Sequence, residues 1–446
     1  MGFWRELLLN LPEVKQPTEK RLPFNTKLKW TITILVAYFI LALIPLYGLG
    51  SAALQRFEFL AIILGTSFGS VISLGIGPIV TASIVLQLLV GSKILDIDLK
   101  SSDGKKFFQG LQKTLGILFT AFEAIVFVLM GGLAPASGFS PWILIFQLFL
   151  GGILIIFMDE VVSKYGFGSG VGLFIVAGVA SQLFIRLFSP FTIIGQGQAG
   201  RIWILFNYLS VGELGGALSI LFTIAATVAI FMAVVWAQSI KAEIPLSFGR
   251  IRGYGIRWPL NFFYTSNIPV ILVAALLANV QLFSTLSKIP WMQAIADWAN
   301  PPAVLSGGLV GLAVKGALTS TDIWQSLVYT LLMVGGSVLF AVFWVKTAGM
   351  DARSQAKNIM ASGLQIPGFR RDERILEAIL NRYIMPLTVM GGIAVGLLAA
   401  VADLLGALVM GTGILLAVMI VYKLYEEIAH QHAMDMHPSL KKFIEK

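Results

Sequence analysis

GIGPIVTASIVLQLL, residues 75–89, and SNIPVILVAALLANVQLF, residues 266–283, are two versions of one pattern. Each has a proline near its start, Pro78 and Pro269, followed by a continuous aliphatic run flanked by Asn or Gln. Continuous apolar runs mark helices, whereas a membrane β-barrel would alternate. A second pair, GSGVGLFI at 168–175 and GTGILLAV at 411–418, repeats in the same order. A bilayer-crossing helix needs about 20 mainly apolar residues. Such stretches recur ten times, at 28–49, 75–91, 108–131, 141–160, 170–188, 215–239, 261–283, 324–346, 384–403 and 407–427. The echoes pair span 2 with 7 and span 5 with 10, as a five-plus-five duplication requires. An odd number of spans per half forces the halves to be inverted, and inverted repeats place a path between them at the midplane. Span 2 is short, and a half-length apolar stretch at 57–68 precedes it; a re-entrant segment is one explanation.

Composition agrees. Of 446 residues 57% are hydrophobic and 12% charged, about half the charge of a soluble domain, and the mean hydropathy is +0.85. These values exclude a soluble enzyme, a disordered chain and a coiled coil. The absence of cysteine excludes a disulfide scaffold, a thiolate metal site and a cysteine nucleophile. Residues 2–9 are short and amphipathic, with Arg5 and Glu6 among apolar neighbours. They read as an interfacial helix and not as a cleaved signal peptide; Glu6 also departs from the myristoylation pattern.

The net charge of +9 is unevenly placed. Counted with the adjoining span ends, both tails and the even-numbered gaps hold 27 Lys/Arg and 17 Asp/Glu, whereas the odd-numbered gaps hold five of each. The positive-inside rule puts both termini in the cytoplasm. Two long basic segments on that side, 240–260 and 347–383, serve as topology determinants. They also suit docking of an anionic partner such as RNA or an acidic protein face.

Catalytic signals are thin. Residues 65–69, GTSFG, match the nucleophile-elbow pattern, which needs a strand–turn–helix setting and a histidine. The histidines, His430, His432 and His437, all lie in the tail on the opposite side, where a solvated helix is expected over a metal site. No phosphate-binding GxxxxGK[ST] loop is present. Glu123 is the acid clearly mid-span and is read as facing a water-filled cavity in preference to a helix seam. Asp159, Glu160 and Asp403 sit at helix ends. An inverted-repeat solute carrier would show a polar midplane site, and an intramembrane hydrolase would show a base beside its serine; neither is visible. Ile76 and Val80, and Val171 and Ile175, are i,i+4 pairs just after glycine-rich helix starts. Their bland reading is ordinary packing; their functional reading is a constriction that seals by dewetting.

Four stretches, GIGPIVTASIVLQLLVGS, DEVVSKYGFGSGVGLFI, SNIPVILVAALLANVQLF and GTGILLAVMIVYKLYEE, resemble the signature segments of the SecY family, pore subunits of the protein-conducting channel, closest to the archaeal and eukaryotic-type branch. The resemblance covers nearly the whole chain and all ten spans. It implies an all-α, ten-span clamshell of two inverted five-helix halves, 1–195 and 196–446, hinged near the loop after span 5, with no enzymatic activity and no cofactor. It implies a pore ring of Ile76, Val80, Val171, Ile175, Ile271 and Leu416. It also implies a plug at 57–68 containing Phe57, Leu60, Ile63, Leu64 and Phe68, and a lateral gate between spans 2/3 and 7/8 with polar contacts at Thr81 and Asn279. Arg250, Arg252, Arg370 and Arg371 would dock the ribosome carrying a nascent chain. The implied partners are a SecE-like single-span subunit, a β-type small subunit, signal sequences and membrane lipid, at the plasma membrane. The outer segment 284–321, with Pro301 and Pro302, has no place in this scheme.

Overall fold

A computed structural model describes residues 12–19, 22–50, 69–91, 94–95, 97, 101–188, 192–193, 197–198, 200–248, 255–287, 289–302, 308–314, 316–361, 364–365 and 372–436. The first half runs α1 (Phe24–Leu43), α2 (Gly77–Gly91), α3 (Ser102–Leu129), α4 (Pro141–Tyr165) and α5 (Gly170–Phe188). A two-stranded hairpin, β1 (Thr192–Ile193) and β2 (Gly197–Gln198), leads to α6 (Arg201–Val211). The second half holds α7 (Leu214–Gln238), β3 (Lys241–Phe248), β4 (Gly255–Asn261), α8 (Ile268–Ser287), α9 (Pro290–Trp298), α10 (Gly308–Val314) and α11 (Ser320–Thr347). It ends with α12 (Ala352–Ala361), β5 (Leu364–Gln365), α13 (Glu373–Leu404) and α14 (Gly411–Met436).

A helix falls on each of the ten expected spans. Seven, α1, α3, α4, α5, α7, α11 and α13, are long and apolar enough to cross a membrane, while α2 and α8 are shorter apolar helices. In α14 the apolar first half gives way to Lys423, Glu426 and Glu427. Helix starts are written locally. Ser101 accepts the Gly104 amide at the head of α3 (3.0 Å), and Thr319 with Asp322 forms a reciprocal capping box on α11. Large apolar side chains such as Phe146, Phe231, Met232, Leu331 and Leu397 are exposed, the inverse of a soluble protein and the surface that a lipid solvent accepts.

Within the first half α2 packs on α3, α3 on α4, and α1 on both α4 and α5. In the second, α7 packs on α14, α8 on α11, and α13 on both α11 and α14. The halves meet along α2 with α8 and α11, and again where α5 meets α14. The largest core cluster gathers both seams, joining Val80, Ile84, Ile175 and Val179 to Val273, Met333, Leu415 and Met419.

One departure from the sequence reading stands out. The strands β3 and β4 pair antiparallel, Lys241 opposite Asn261 and Ser247 opposite Gly255, so span 7 begins as helix at Ile268 and not at 261. The signal was period-two alternation: Ala242 and Ile244, then Trp258 and Leu260, point one way, with Lys241, Glu243 and Pro259 on the other face. The hairpin also pairs with β5, Phe248 opposite Leu364. Its inward face shares a core with Val345, Ala356, Leu376, Leu380 and Ile384. The described parts of the two basic segments thus share one core, a platform built on β3, β4, α12 and the start of α13.

The described N-terminal residues 12–19 are strapped across α3 and the end of α4. Lys113 pairs with Glu160 and donates to the Pro12 carbonyl; Lys164 pairs with Glu13; and the Tyr165 hydroxyl donates to the Lys15 carbonyl (2.8 Å). The expected interfacial helix at 2–9 lies outside the described residues.

Because Leu380 is fully buried in the platform core, Leu380→Ala should cost about 2–5 kcal/mol locally. Trypsin should then cut the loops at 240–260 and 347–383 faster while the spans stay intact. Met232→Ala, at an exposed lipid-facing position, should leave the cleavage pattern unchanged.

Candidate functional site between the two halves

Both echoes become geometry. Gly75 (φ 56°) and Ser266 (φ 57°) each adopt the left-handed conformation two residues before their helices, α2 and α8. That conformation is open to Gly but uncommon for Ser. The Gly75 amide bonds the Ile72 carbonyl (2.8 Å) and the Ser266 amide bonds the Phe263 carbonyl (2.9 Å), closing matching turns. Val80 then bonds back to Ile76, and Ile271 back to Asn267, both at 3.1 Å. Val80 and Ile271 are therefore equivalent, and the counterpart of Ile76 is the polar Asn267.

The second echo holds with its register moved by two residues. Gly170, not Gly168, matches Gly411, since each opens its helix, α5 or α14. In each case the next amide bonds a carboxylate late in the preceding helix: Val171 N–H to Asp159 Oδ1 (2.9 Å) and Thr412 N–H to Asp403 Oδ1 (2.8 Å). Ile175 and Leu416 become equivalent, and Val171 matches Thr412.

An apolar cavity of about 110 Å³ lies between the halves. Five of the six expected ring residues line it: Ile76, Val80, Ile175, Ile271 and Leu416. Val171 is half-buried and packs on the same core. Tyr329, Thr412, Asn300 and Pro301 also line the cavity. Asn300 and Pro301 belong to the outer segment that the sequence left without a role. Gln325 on α11 anchors that elbow by donating to the carbonyls of Asp297 (2.7 Å) and Asn300 (3.1 Å).

Beside the cavity runs the seam between α2/α3 and α8/α11. The Asn279 amide of α8 donates to the Thr81 hydroxyl of α2 (2.8 Å). That hydroxyl directs its proton at the Gly77 carbonyl (2.9 Å) and the Glu123 carboxyl of α3 (3.3 Å). Thr81 and Asn279 therefore meet as expected. Glu123 corrects its reading: it is buried in the helix seam and bonded to Thr81, not facing a water-filled cavity. A carboxyl in this apolar setting needs such a partner, and the Thr81–Glu123 spacing across two helices left no mark in the sequence. Gln112 of α3 donates to Ser83 of α2 (2.7 Å), tying those helices together, and the rings of Phe122 and Phe283 sit 6.1 Å apart across the seam.

The remaining expected sites fall on undescribed positions. The plug residues Phe57, Leu60, Ile63, Leu64 and Phe68, and the docking arginines Arg250, Arg252, Arg370 and Arg371, all lie outside the described residues. The strands leading to both arginine loops are described, and they are paired at Phe248 and Leu364. At the far end of the chain α14 continues to Met436 and carries His430 and His432 on a helix.

Comparison with known proteins gives a consistent answer. The SecY family model matches residues 70–425. The protein translocase subunit SecY of Methanothermobacter thermautotrophicus is 48% identical over 443 residues, covering 97% of this chain and 96% of the relative. A solved structure described as a protein-conducting channel superposes with a TM-score of 0.84 at 38% identity, covering 97% of this chain and 98% of the other. Sec61 in a canine ribosome–channel complex from the endoplasmic reticulum superposes at 0.80 with 37% identity over the same shares.

With no native cysteine, the double variant Phe122→Cys, Phe283→Cys reports on the seam. It should crosslink with a short bismaleimide when the seam is joined. Adding Asn279→Ala removes a bond worth about 1 kcal/mol and should shift the joined-to-parted ratio of the seam roughly fivefold, read as slower crosslinking. An unchanged rate would mean that packing alone holds the seam.

Proposed function

Since the chain belongs to the SecY family, it is a non-enzymatic, multi-pass pore subunit of protein translocase, and we propose how its parts divide that work. The observation that carries the assignment is the convergence of Ile76, Val80, Ile175, Ile271 and Leu416 on one cavity between the halves. With Val171 they form the ring through which an unfolded polypeptide passes. Aliphatic side chains suit this task because they offer a moving chain no hydrogen bond or charge to stick to. Closed on each other, they exclude water and so oppose ion flow.

The halves, 1–195 and 196–446, hinge about the β1–β2 hairpin, which stands where they join. Opening on the opposite side parts α2 and α3 from α8 and α11. Signal sequences and apolar segments of the passenger leave through this gate into lipid, driven by about 25 cal/mol per Å² of apolar surface removed from water. Thr81 and Asn279 resist that opening. Residues 57–68 act as the plug; their half-length apolar character and their position just before the turn at Gly75 support this.

The platform faces the cytoplasm, as do both termini. The bias of 27 Lys/Arg against five supports that orientation, and the plasma membrane is the site. Arg250, Arg252, Arg370 and Arg371 dock the ribosome carrying the nascent chain. Support comes from the paired strands that bring their loops together and from the ribosome-bound state of the canine relative. A SecE-like single-span subunit and a β-type small subunit cover part of the exposed apolar surface. The conduit is passive, and chain elongation supplies the energy.

The decisive test is a stalled nascent chain. Single cysteines replacing Ile76, Ile175 or Leu416 should crosslink to a passenger halted in the channel, and a cysteine at lipid-facing Met232 should not. Absence of ring crosslinks would overturn the path. Replacing Ile76, Val80 and Val171 together by Gly should raise ion leak through reconstituted channels, and unchanged conductance would sink the seal. Charge reversal at Arg250 and Arg370 should weaken ribosome binding more at low salt than at high; intact binding at both would remove the docking role.

A further inference from the structure

Asp159 and Asp403 are buried or half-buried carboxylates that the pore path itself does not use. They occupy equivalent places in the two inverted halves, late in α4 and late in α13. Each accepts the first amides of the next helix. Asp159 takes those of Gly170 and Val171; Asp403 takes those of Gly411 and Thr412. Asp403 also binds the Thr412 hydroxyl and receives the Tyr329 hydroxyl of α11 (2.5 Å). The fit leaves no room for a side chain at either helix start. A Cβ on Gly170 would lie 2.5 Å from Asp159 Cα, and one on Gly411 would lie 2.1 Å from the Ala402 carbonyl carbon.

We propose that Asp159 and Asp403 are positioning residues for the pore ring, each carboxylate fixing from outside the lumen the helix start that carries ring side chains. The inference rests on the ring assignment above. The first four amides of a helix lack intrahelical partners, and these two helices begin next to the cavity. In α5 the carboxylate holds the amide of Val171 itself, one turn before Ile175. In α14 it holds Thr412, whose carbonyl is the helical acceptor for the Leu416 amide.

The two halves differ in one instructive way. Where the first half has Ile76 and Val171, the second has Asn267 and Thr412. Thr412 turns its hydroxyl to Asp403, so the second cap holds its helix by side chain as well as backbone. Through Tyr329 it is also tied to α11, a helix of the gate seam. Movement of α11 therefore bears on the helix that carries Leu416.

The test uses the full-length chain reconstituted with its partner subunits, with two readouts: ion leak per inserted channel and hydrogen exchange of the amides in 170–175 and 411–416. Asp159→Ala and Asp403→Ala should each raise leak by about five- to thirty-fold, the factor expected from losing one or two buried hydrogen bonds to the amides. They should speed exchange in their own segment and not in the other. Asp159→Asn and Asp403→Asn keep the accepting oxygen and should restore both readouts to near wild type.

Faster exchange without leak would show that the carboxylates cap helices but do not position the ring, and would overturn the proposal; so would unchanged exchange. Equal leak in the Asn and Ala variants would overturn the hydrogen-bond cause. If an alanine variant does not assemble, Tyr329→Phe combined with Thr412→Val strips both hydroxyls from Asp403. Raised exchange at 411–416 together with leak then supports the role, and wild-type values overturn it. The triple glycine variant of the ring, measured beside these, separates the two failures. Leak there with none in the aspartate variants overturns the caps alone, whereas no leak there overturns the ring.

Discussion

A backbone amide inside a membrane must find its partner within the protein, and this channel is organised around helices that begin in its interior. A helix that starts at the membrane surface leaves its first amides to water. Here α2, α5, α8 and α14 start beside the cavity, where no bulk solvent can be assumed. The chain answers in two ways. Ahead of α2 and α8 it folds a tight turn with one left-handed residue, Gly75 or Ser266. Ahead of α5 and α14 it lends a carboxylate from the previous helix. Both devices occur once per half, and the side chains they set in place are those that line the cavity.

The closed seam follows another rule. Between α2/α3 and α8/α11 the contact is mostly apolar, and apolar contacts there gain little over contact with lipid. A polar bond from Asn279 to Thr81, backed by Glu123, supplies direction and register that packing alone does not. Ser83–Gln112 and Thr81–Glu123 hold α2 to α3. For the gate proposed at this seam, one such bond across it, worth about 1 kcal/mol, would leave a closing margin small enough for a passing apolar segment to overcome.

How much of this was legible in the sequence depends on the range of the signal. The helix on each of the ten apolar stretches was, because a long apolar run has few alternatives. The inverted duplication was, through Pro78 with Pro269 and the paired glycine motifs. Register within the second motif was not, because GSG and GTG align equally well by letter; the helix start and the carboxylate behind it decide in favour of Gly170. The hairpin at 241–261 was hidden under its charge, although Ile244, Trp258 and Leu260 alternate as a half-buried strand should. Glu123 was misread because its partner lies 42 residues away on another helix, a distance that periodicity does not reach. The outer segment gained a place only when Asn300 and Pro301 appeared in the cavity wall.

The helix α13 is 32 residues long, about 48 Å at 1.5 Å per residue. Its first turns are built into the platform core through Leu376 and Leu380, and its last turn carries Asp403. A rod of this length exceeds the roughly 30 Å of the hydrocarbon layer. At its far end Asp403 bonds Tyr329 and Thr412, which line the cavity. The helix is continuous through Pro386, which lacks only the amide that would bond one turn back. In mechanical terms α13 has the form of a pushrod, one member shared by the platform core and by the hydrogen bonds that hold the start of α14.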